Sequence, residues 1–280
     1  MIKPIYPSIW FASNAGDAAK LYTSVFPDSR IVSENYLTAL IELAGQKFLL
    51  LNGGPEFKPN PSISFFVICK SEMEIDRIWA SLNNDGSALM PLGSYGWSKK
   101  YGWVQDKYGV NWQLSWNEPD ITDQNFVPAL MFTGSNSGKA EEAISFYSSL
   151  FEGSEVRLVS RYSKQDNDVE GNINHAQFLL GKKLFAAMDS SIMHMFNFTE
   201  GVSLVAECDT QEEIDFLWEK LCDGGEEQQC GWLKDKYGVS WQIIPSILSV
   251  LMADEKKSKK VIEAFMQMKK FDIKRLLESK

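Results

Sequence analysis

One string of eight residues occurs twice in this chain. Asp106-Lys-Tyr-Gly-Val-Asn-Trp-Gln113 returns as Asp235-Lys-Tyr-Gly-Val-Ser-Trp-Gln242, identical at seven of eight positions. Each copy follows a Gly-Trp pair, Gly102-Trp103 and Gly231-Trp232, and the offset is 129 residues in both cases. A match of this length is a tandem duplication. It restricts the chain to folds in which two similar domains can meet about a two-fold interface.

The repeat extends toward the N-terminus. Pro7-Ser-Ile-Trp-Phe11 pairs with Pro128-Ala-Leu-Met-Phe132, and Ala18 to Phe26 pairs with Ala143 to Phe151. Ser64 to Cys69 pairs with Ser203 to Cys208, and Ile75-Asp76 with Ile214-Asp215. The offset rises from 121 to 125 to 139 and then falls to 129, so copy one is longer between Gly86 and Gly102. We read two domains, about 1–120 and 121–250, and a C-terminal tail, 251–280.

At 280 residues each domain is long enough to bury a core. Hydrophobic content of 44% and charged content of 23% are globular values, and a net charge of -9 opposes nucleic-acid or anionic-membrane partners. The start, Met1-Ile-Lys-Pro-Ile-Tyr-Pro7, reads as strand rather than leader, so the cytoplasm is the expected compartment. Cysteines at 69, 208, 222 and 230 form no Cys-x-x-Cys pair, and Cys69 and Cys208 read as small buried hydrophobes.

Within copy one, Ile5 to Phe11 predicts a strand and Ala15 to Phe26 a helix stopped by Pro27-Asp28. Three strands follow: Arg30 to Tyr36, Thr38 to Ala44, and Lys47 to Asn52. The pattern then restarts with a strand from Ser62 to Cys69 and a helix from Ser71 to Asn83, capped by Ser71 with Glu74 at the capping-box position. Strands Lys100 to Gln105 and Val110 to Trp116 close it. Met90-Pro-Leu-Gly-Ser-Tyr-Gly-Trp97 reads as a loop and candidate lid, which copy two replaces with Glu226-Glu-Gln-Gln229.

Each domain is therefore α+β, a pair of βαβββ units. That organisation resembles the vicinal oxygen chelate superfamily of glyoxalase I, extradiol dioxygenases and bleomycin-resistance proteins. Pro-x-x-Trp-Phe, Leu51-Asn-Gly-Gly-Pro-Glu-Phe57, Met90-Pro-Leu-Gly93 and Gly-Trp-x-x-Asp-Lys-Tyr-Gly-Val-x-Trp-Gln resemble its PhnB-like branch, whose members carry the label 3-demethylubiquinone-9 3-methyltransferase. The tail, Ala264 to Leu277, resembles the end of that branch. The resemblance implies two tandem domains, each of paired βαβββ units forming a cupped mixed sheet, with a C-terminal helix. It also implies a covalent pseudo-dimer, monomeric in solution, because single-domain relatives look like homodimers. The apolar stripe Val261, Ile262, Phe265, Met268, Ile273 and Leu276 is expected to dock across the domain pair.

The residues do not spell a methyltransferase site. Gly53-Gly54 is followed by Pro55 and Pro59, which prevents the glycine turn opening a helix that a Rossmann-type site needs. The superfamily's divalent metal is disfavoured as well, and no other cofactor is expected. Carried over, its last-strand ligand falls on Gln113 and Gln242, weak candidates, while the other positions fall on or near Pro7 and Pro128, Ser64 and Ser203, and Leu50, Leu51, Ala187 and Met188.

By strand alternation Pro7, Ile9, Phe11, Ser64, Phe66, Asn111, Gln113 and Ser115 are expected on one concave side, either as a small-molecule cavity or as its filling. His175 and His194 each read first as a structural or surface histidine, and His175 with Gln177 on one strand face is also a candidate acid or base. Phe11, Ser64, Phe66, Trp97, Asn111, Gln113, His175, Ser203 and Gln242 are thus the candidate ligand-binding residues. Two classes of function stay open: a metal-independent small-molecule binding protein, or an enzyme of glyoxalase or dioxygenase type on an oxygenated substrate. Methyl transfer of the family label is a third.

Overall fold

The computed structural model describes residues 3–117, 124–253 and 255–279. The first repeat contains β1 (Tyr6–Phe11), α1 (Ala15–Val25), β2 (Ser29–Glu34), β3 (Thr38–Leu43) and β4 (Gln46–Asn52). Its second unit is β5 (Ile63–Ile68), α2 (Glu72–Asn83), β6 (Ser87–Tyr95), β7 (Ser98–Gln105) and β8 (Asn111–Trp116). The second repeat opens with β9 (Phe126–Phe132), α3 (Ala140–Leu150), β10 (Glu155–Arg161), β11 (Ile173–Leu180) and β12 (Lys183–Asp189). It closes with β13 (Val202–Cys208), α4 (Gln211–Cys222), β14 (Glu226–Glu227), β15 (Trp232–Lys234) and β16 (Ser240–Pro245), and the tail holds α5 (Ile247–Ala253), α6 (Glu255–Phe265) and α7 (Ile273–Glu278).

The fold is α+β with two eight-stranded mixed sheets, and the pairing crosses between the repeats. The first sheet runs β14-β15-β16-β13-β1-β4-β3-β2, and the second β10-β11-β12-β9-β5-β8-β7-β6. Each sheet takes one βαβββ unit from each repeat. The joins are two antiparallel pairs, β1 with β13 (Ser8 opposite Ser203) and β5 with β9 (Ser64 opposite Ala129). The segment read as a lid, Met90 to Trp97, is not a loop: most of it is β6, at the edge of the second sheet, with Trp97 at the β6–β7 hairpin tip.

The helices cover one face of each sheet. In α1 the buried positions are Ala15, Ala18, Ala19, Tyr22 and Val25, a helical stripe packed on β2, β3 and β4. Its first free N–H, on Ala15, is held by Asn52 Oδ1 at 2.8 Å; in the second repeat Asp189 Oδ1 takes the N–H groups of Gly138 and Ala140 at 2.8 and 3.1 Å. Ser71 caps α2 by accepting from Glu74 N at 3.2 Å, as its sequence predicts.

A buried carboxylate ties the two units of each repeat together. Asp106 Oδ1 accepts the backbone N–H groups of Tyr108 and Val110 at 2.8 and 3.0 Å, which forms the turn between β7 and β8. Its Oδ2 accepts the Tyr22 hydroxyl at 2.8 Å, from the other unit, and the Trp112 indole N–H at 2.9 Å. Asp235 repeats all four bonds with Tyr237, Val239, Tyr147 and Trp241. The turn needs a residue at positive φ, and Gly109 at +89° and Gly238 at +83° supply it. Burial pushes both carboxyls up from their ordinary range, and the four donors pull each one back.

The tail was expected to dock across the pair, but among the described residues its hydrogen bonds and ion pairs outside the tail go to the second repeat. Val261, Met268, Phe271 and Leu276 are buried. Their backbone joins that repeat: Cys230 and Gly231 donate to the carbonyls of Met268 and Lys269 at 2.8 and 2.7 Å, and Gln211 brackets Phe271 and Ile273.

Asp106→Asn puts an NH2 group among four donors and is expected to lose about 3 kcal/mol of stability. Urea unfolding read by tryptophan fluorescence measures this, with exposed Lys107→Gln as the near-neutral control. A loss below about 1 kcal/mol would show that the carboxylate does not hold the units together.

Candidate functional site

The face of the second sheet turned away from the helices carries most of the candidate residues. Phe65, Val67, Trp112 and Leu114 point into the helix-side core, so Ser64, Phe66, Asn111, Gln113 and Ser115 lie on the opposite, free face. The same alternation places Met131 of β9, Met188 of β12 and Tyr101 and Trp103 of β7 there. His175 and Gln177 of β11 share that face, since Ala176 and Phe178 are in the core.

Pro7, Ile9 and Phe11 do not belong to it. Ile9 and Phe11 are buried against the helices, and the Phe11 ring meets Tyr108 edge-on at 6.0 Å. The expected alternation was off by one residue in β1: Tyr6, Ser8 and Trp10 are its free-face residues, and they belong to the first sheet. Ser203 and Gln242 lie on that first-sheet face too, so the nine candidates divide between two faces and the core.

On the second sheet the polar groups of the floor satisfy one another. Gln113 Oε1 accepts the Tyr101 hydroxyl, and Gln113 Nε2 donates to Ser64 Oγ at 2.7 Å. Trp103 Nε1 donates to Asn111 Oδ1 at 3.3 Å, and Asn111 Nδ2 to the Gly109 carbonyl at 2.9 Å. Gln113 and Asn111 are fully buried, so the floor is filled by its own side chains.

The mouth is different. Phe66, Met90, Tyr95, His175, Gln177, Met188 and Phe196 are half-buried. Phe66 meets the His175 ring edge-on at 5.8 Å, and Tyr95 and Trp97 lie within 5.6 and 6.0 Å of Tyr101. Trp97 itself is 65% exposed, a rim residue. His194 is half-buried and lies beside this mouth: its ring is 4.8 Å from Phe196, and Nε2 is 2.9 Å from Ser190 Oγ. Tyr101 and Trp103 were legible, because they alternate with Gln113 on paired strands; Phe196 comes from a connector with no periodic signal.

Burial holds the His175 imidazole below its ordinary pKa, so it is neutral at pH 7, and Gln177 Nε2 stands 3.4 Å from its Nε2. The register puts Thr38 at the equivalent place in the first repeat, one residue before Ala39 as His175 is one before Ala176, since Ala176 faces Ala187 as Ala39 faces Leu50.

The first sheet carries another kind of face. Ser8, Ser203 and Ser240 form a row across three strands, and Gln242 Nε2 donates to Ser203 Oγ at 2.9 Å. Ser8 Oγ and Ser240 Oγ are buried with no hydrogen-bond partner among the described residues. Phe57, Trp10 and Trp232 form a run of edge contacts at 5.1 and 5.8 Å on this side.

A family model described as 3-demethylubiquinone-9 3-methyltransferase matches residues 3–115 and again 124–244. The chain belongs to this family. No curated protein matches it. Among solved structures, the PhnB protein of Bacillus cereus is 38% identical over 41% of this chain and 100% of its own, with a TM-score of 0.39. Glyoxalase I of Zea mays is 10% identical over 90% of this chain and 97% of its own, with a TM-score of 0.60, a likeness of fold.

The superfamily's divalent metal finds no fitting donor set on either face. The positions facing the second-sheet floor are Ala129, Ala186, Met188, Ser64 and Gln113, and the Gln113 oxygen is already bonded to Tyr101. On the first sheet they are Ser8, Leu49, Leu51, Ser203 and Gln242. The first-strand position is Ser8 or Ala129, not Pro7 or Pro128, and neither is a strong ligand. Among the described residues no group of three His, Cys, Asp or Glu could hold a metal ion. No helix among them is long and apolar enough to cross a membrane.

The His175 shift sets a pH dependence. Its proton binds more weakly in the folded chain, so the associated stability is complete above the unfolded pKa of about 6.5 and is lost as pH falls below it. NMR titration of the imidazole should give a midpoint below about 6.5, and His175→Gln should flatten the stability loss between about pH 7 and 5. A midpoint at or above the ordinary value would place the ring in water.

Proposed function

We propose that the chain is a metal-independent binding protein for a small, largely apolar molecule, seated at the mouth of the second sheet's free face. The observation that carries this is the engagement of Gln113: both ends of its amide are spent on Tyr101 and Ser64, which makes it a support for the floor and leaves no good metal donor there. Above it the half-buried aromatic and methionine side chains offer an apolar contact surface, and His175 and Gln177 offer the polar groups that fix orientation.

A second reading is kept open by one residue. A neutral imidazole in an apolar mouth is a competent general base, so His175 supports an enzyme of the glyoxalase or dioxygenase kind acting on an oxygenated small molecule. Methyl transfer, which the family's name suggests, has less support, because neither face carries the glycine turn at a helix start that a Rossmann-type site uses. Each sheet already joins both kinds of unit within one chain, which favours a monomer, and the four free cysteines favour the cytoplasm.

The test is titration with N-phenyl-1-naphthylamine, an uncharged aromatic probe whose fluorescence rises in apolar sites, on protein treated with EDTA and assayed for bound metals. Saturable binding is expected with EDTA present, and His175→Trp, which fills the mouth, should weaken it about tenfold or more. Binding that returns only with added metal would refute metal independence. Binding unaffected by His175→Trp would refute the location.

A further inference from the structure

At one end of the strands, where the starts of β1 and β4 meet the starts of β9 and β12, there is a cleft of about 190 Å³. Its floor is paired by the duplication, Pro7 with Pro128 and Phe48 with Phe185. The rim is not paired in the same way. Where the first repeat has Gln46, the second has Lys183, each opening the strand that follows a hairpin turn.

These two residues are used differently. The Gln46 amide is spent on Phe126, whose carbonyl and N–H it meets at 2.8 and 2.9 Å. The Lys183 side chain is half-buried and its ammonium has no hydrogen bond or ion pair among the described residues. Every other charged group lining the cleft is neutralised by a neighbour. Lys3 lies 2.8 Å from Asp209, Glu42 is 2.6 Å from Arg30, and Lys47 is 3.4 Å from Glu207, which also accepts the Tyr6 hydroxyl at 2.8 Å. A single uncompensated ammonium therefore stands over an apolar floor. Burial holds Lys183 below the ordinary lysine pKa, as expected of a cation without a counter-charge.

We propose that this cleft binds a small organic monocarboxylate with an apolar body, its carboxylate on Lys183 Nζ and its ring or chain against Pro7, Pro128, Phe48 and Phe185. Charge selects the anion, because among the described charged residues that line the cleft only Lys183 lacks a partner. Size selects the body, since an apolar cavity of roughly 150 Å³ already holds a benzene ring. The site is separate from the mouth of the second sheet, so each can exist without the other.

Benzoate is the probe, titrated calorimetrically at low salt against wild type, Lys183→Gln, Lys183→Arg and His175→Trp, each first shown to keep the wild-type melting temperature within a few degrees. One saturable site is expected in wild type. Lys183→Gln should weaken it about tenfold and Lys183→Arg should largely restore it, while His175→Trp leaves it unchanged. No saturable binding up to about 10 mM, equal binding by Lys183→Gln, or loss in His175→Trp would each overturn the proposal; the last would mean that benzoate occupies the mouth instead.

Discussion

The carboxylates of Asp106 and Asp235 hold the architecture in register. Each sits at the last turn of one βαβββ unit and accepts a tyrosine hydroxyl from the helix of the other, Tyr22 or Tyr147. Because the two units of a repeat lie in different sheets, this bond spans the common core between the sheets. A buried carboxylate is tolerable only when its lone pairs are filled, and four donors fill each of these. The indole of Trp112 or Trp241 is fixed by the same oxygen and becomes a fully buried centre of the core.

This explains why the duplicated string is so well preserved between the copies. Its aspartate, glycine, valine and tryptophan all serve the turn and the core, while the glutamine and the one position that differs, Asn111 or Ser240, reach a free face. The strongest motif in the sequence is thus mainly about folding, and the two free faces differ in the residues that surround it. In the second sheet Ala129, Met131, Met188 and His175 stand where the first sheet has Ser8, Trp10, Leu51 and Thr38. One face is apolar with its few amides satisfied; the other presents a serine row with two unpaired hydroxyls.

Much of the fold was legible because it is local or repeated. The helix stripes, the Ser71 cap and the closing strands follow from periodicity and turn chemistry, and the family follows from the motifs. What could not be read is set by long-range pairing. Nothing within β1 says whether Ser8 or Ile9 faces the helices, since both neighbours are compatible with burial, and a one-residue error moved Phe11 from core to cavity. The crossing of units between repeats depends on β1 meeting β13 and β5 meeting β9, and Ser8 and Ser203 in the first pair are 195 residues apart. Met90 to Trp97 hid its strand character because proline and glycine interrupt the pattern, and such residues are tolerated only at a sheet edge, where β6 lies.

Gln113 serves the scaffold of the second-sheet floor. A glutamine on a last strand can ligate a metal only with its oxygen free and with carboxylates or imidazoles beside it. Gln113 meets neither condition. Its oxygen holds Tyr101, and its neighbours on the floor are serine, alanine and methionine. The tyrosine so held then helps build the aromatic side of the mouth, with Tyr95 and Trp97 against it. The donor set and the aromatic wall are therefore linked, because the same amide whose oxygen is taken up by Tyr101 fixes the side chain that the proposed apolar ligand would touch.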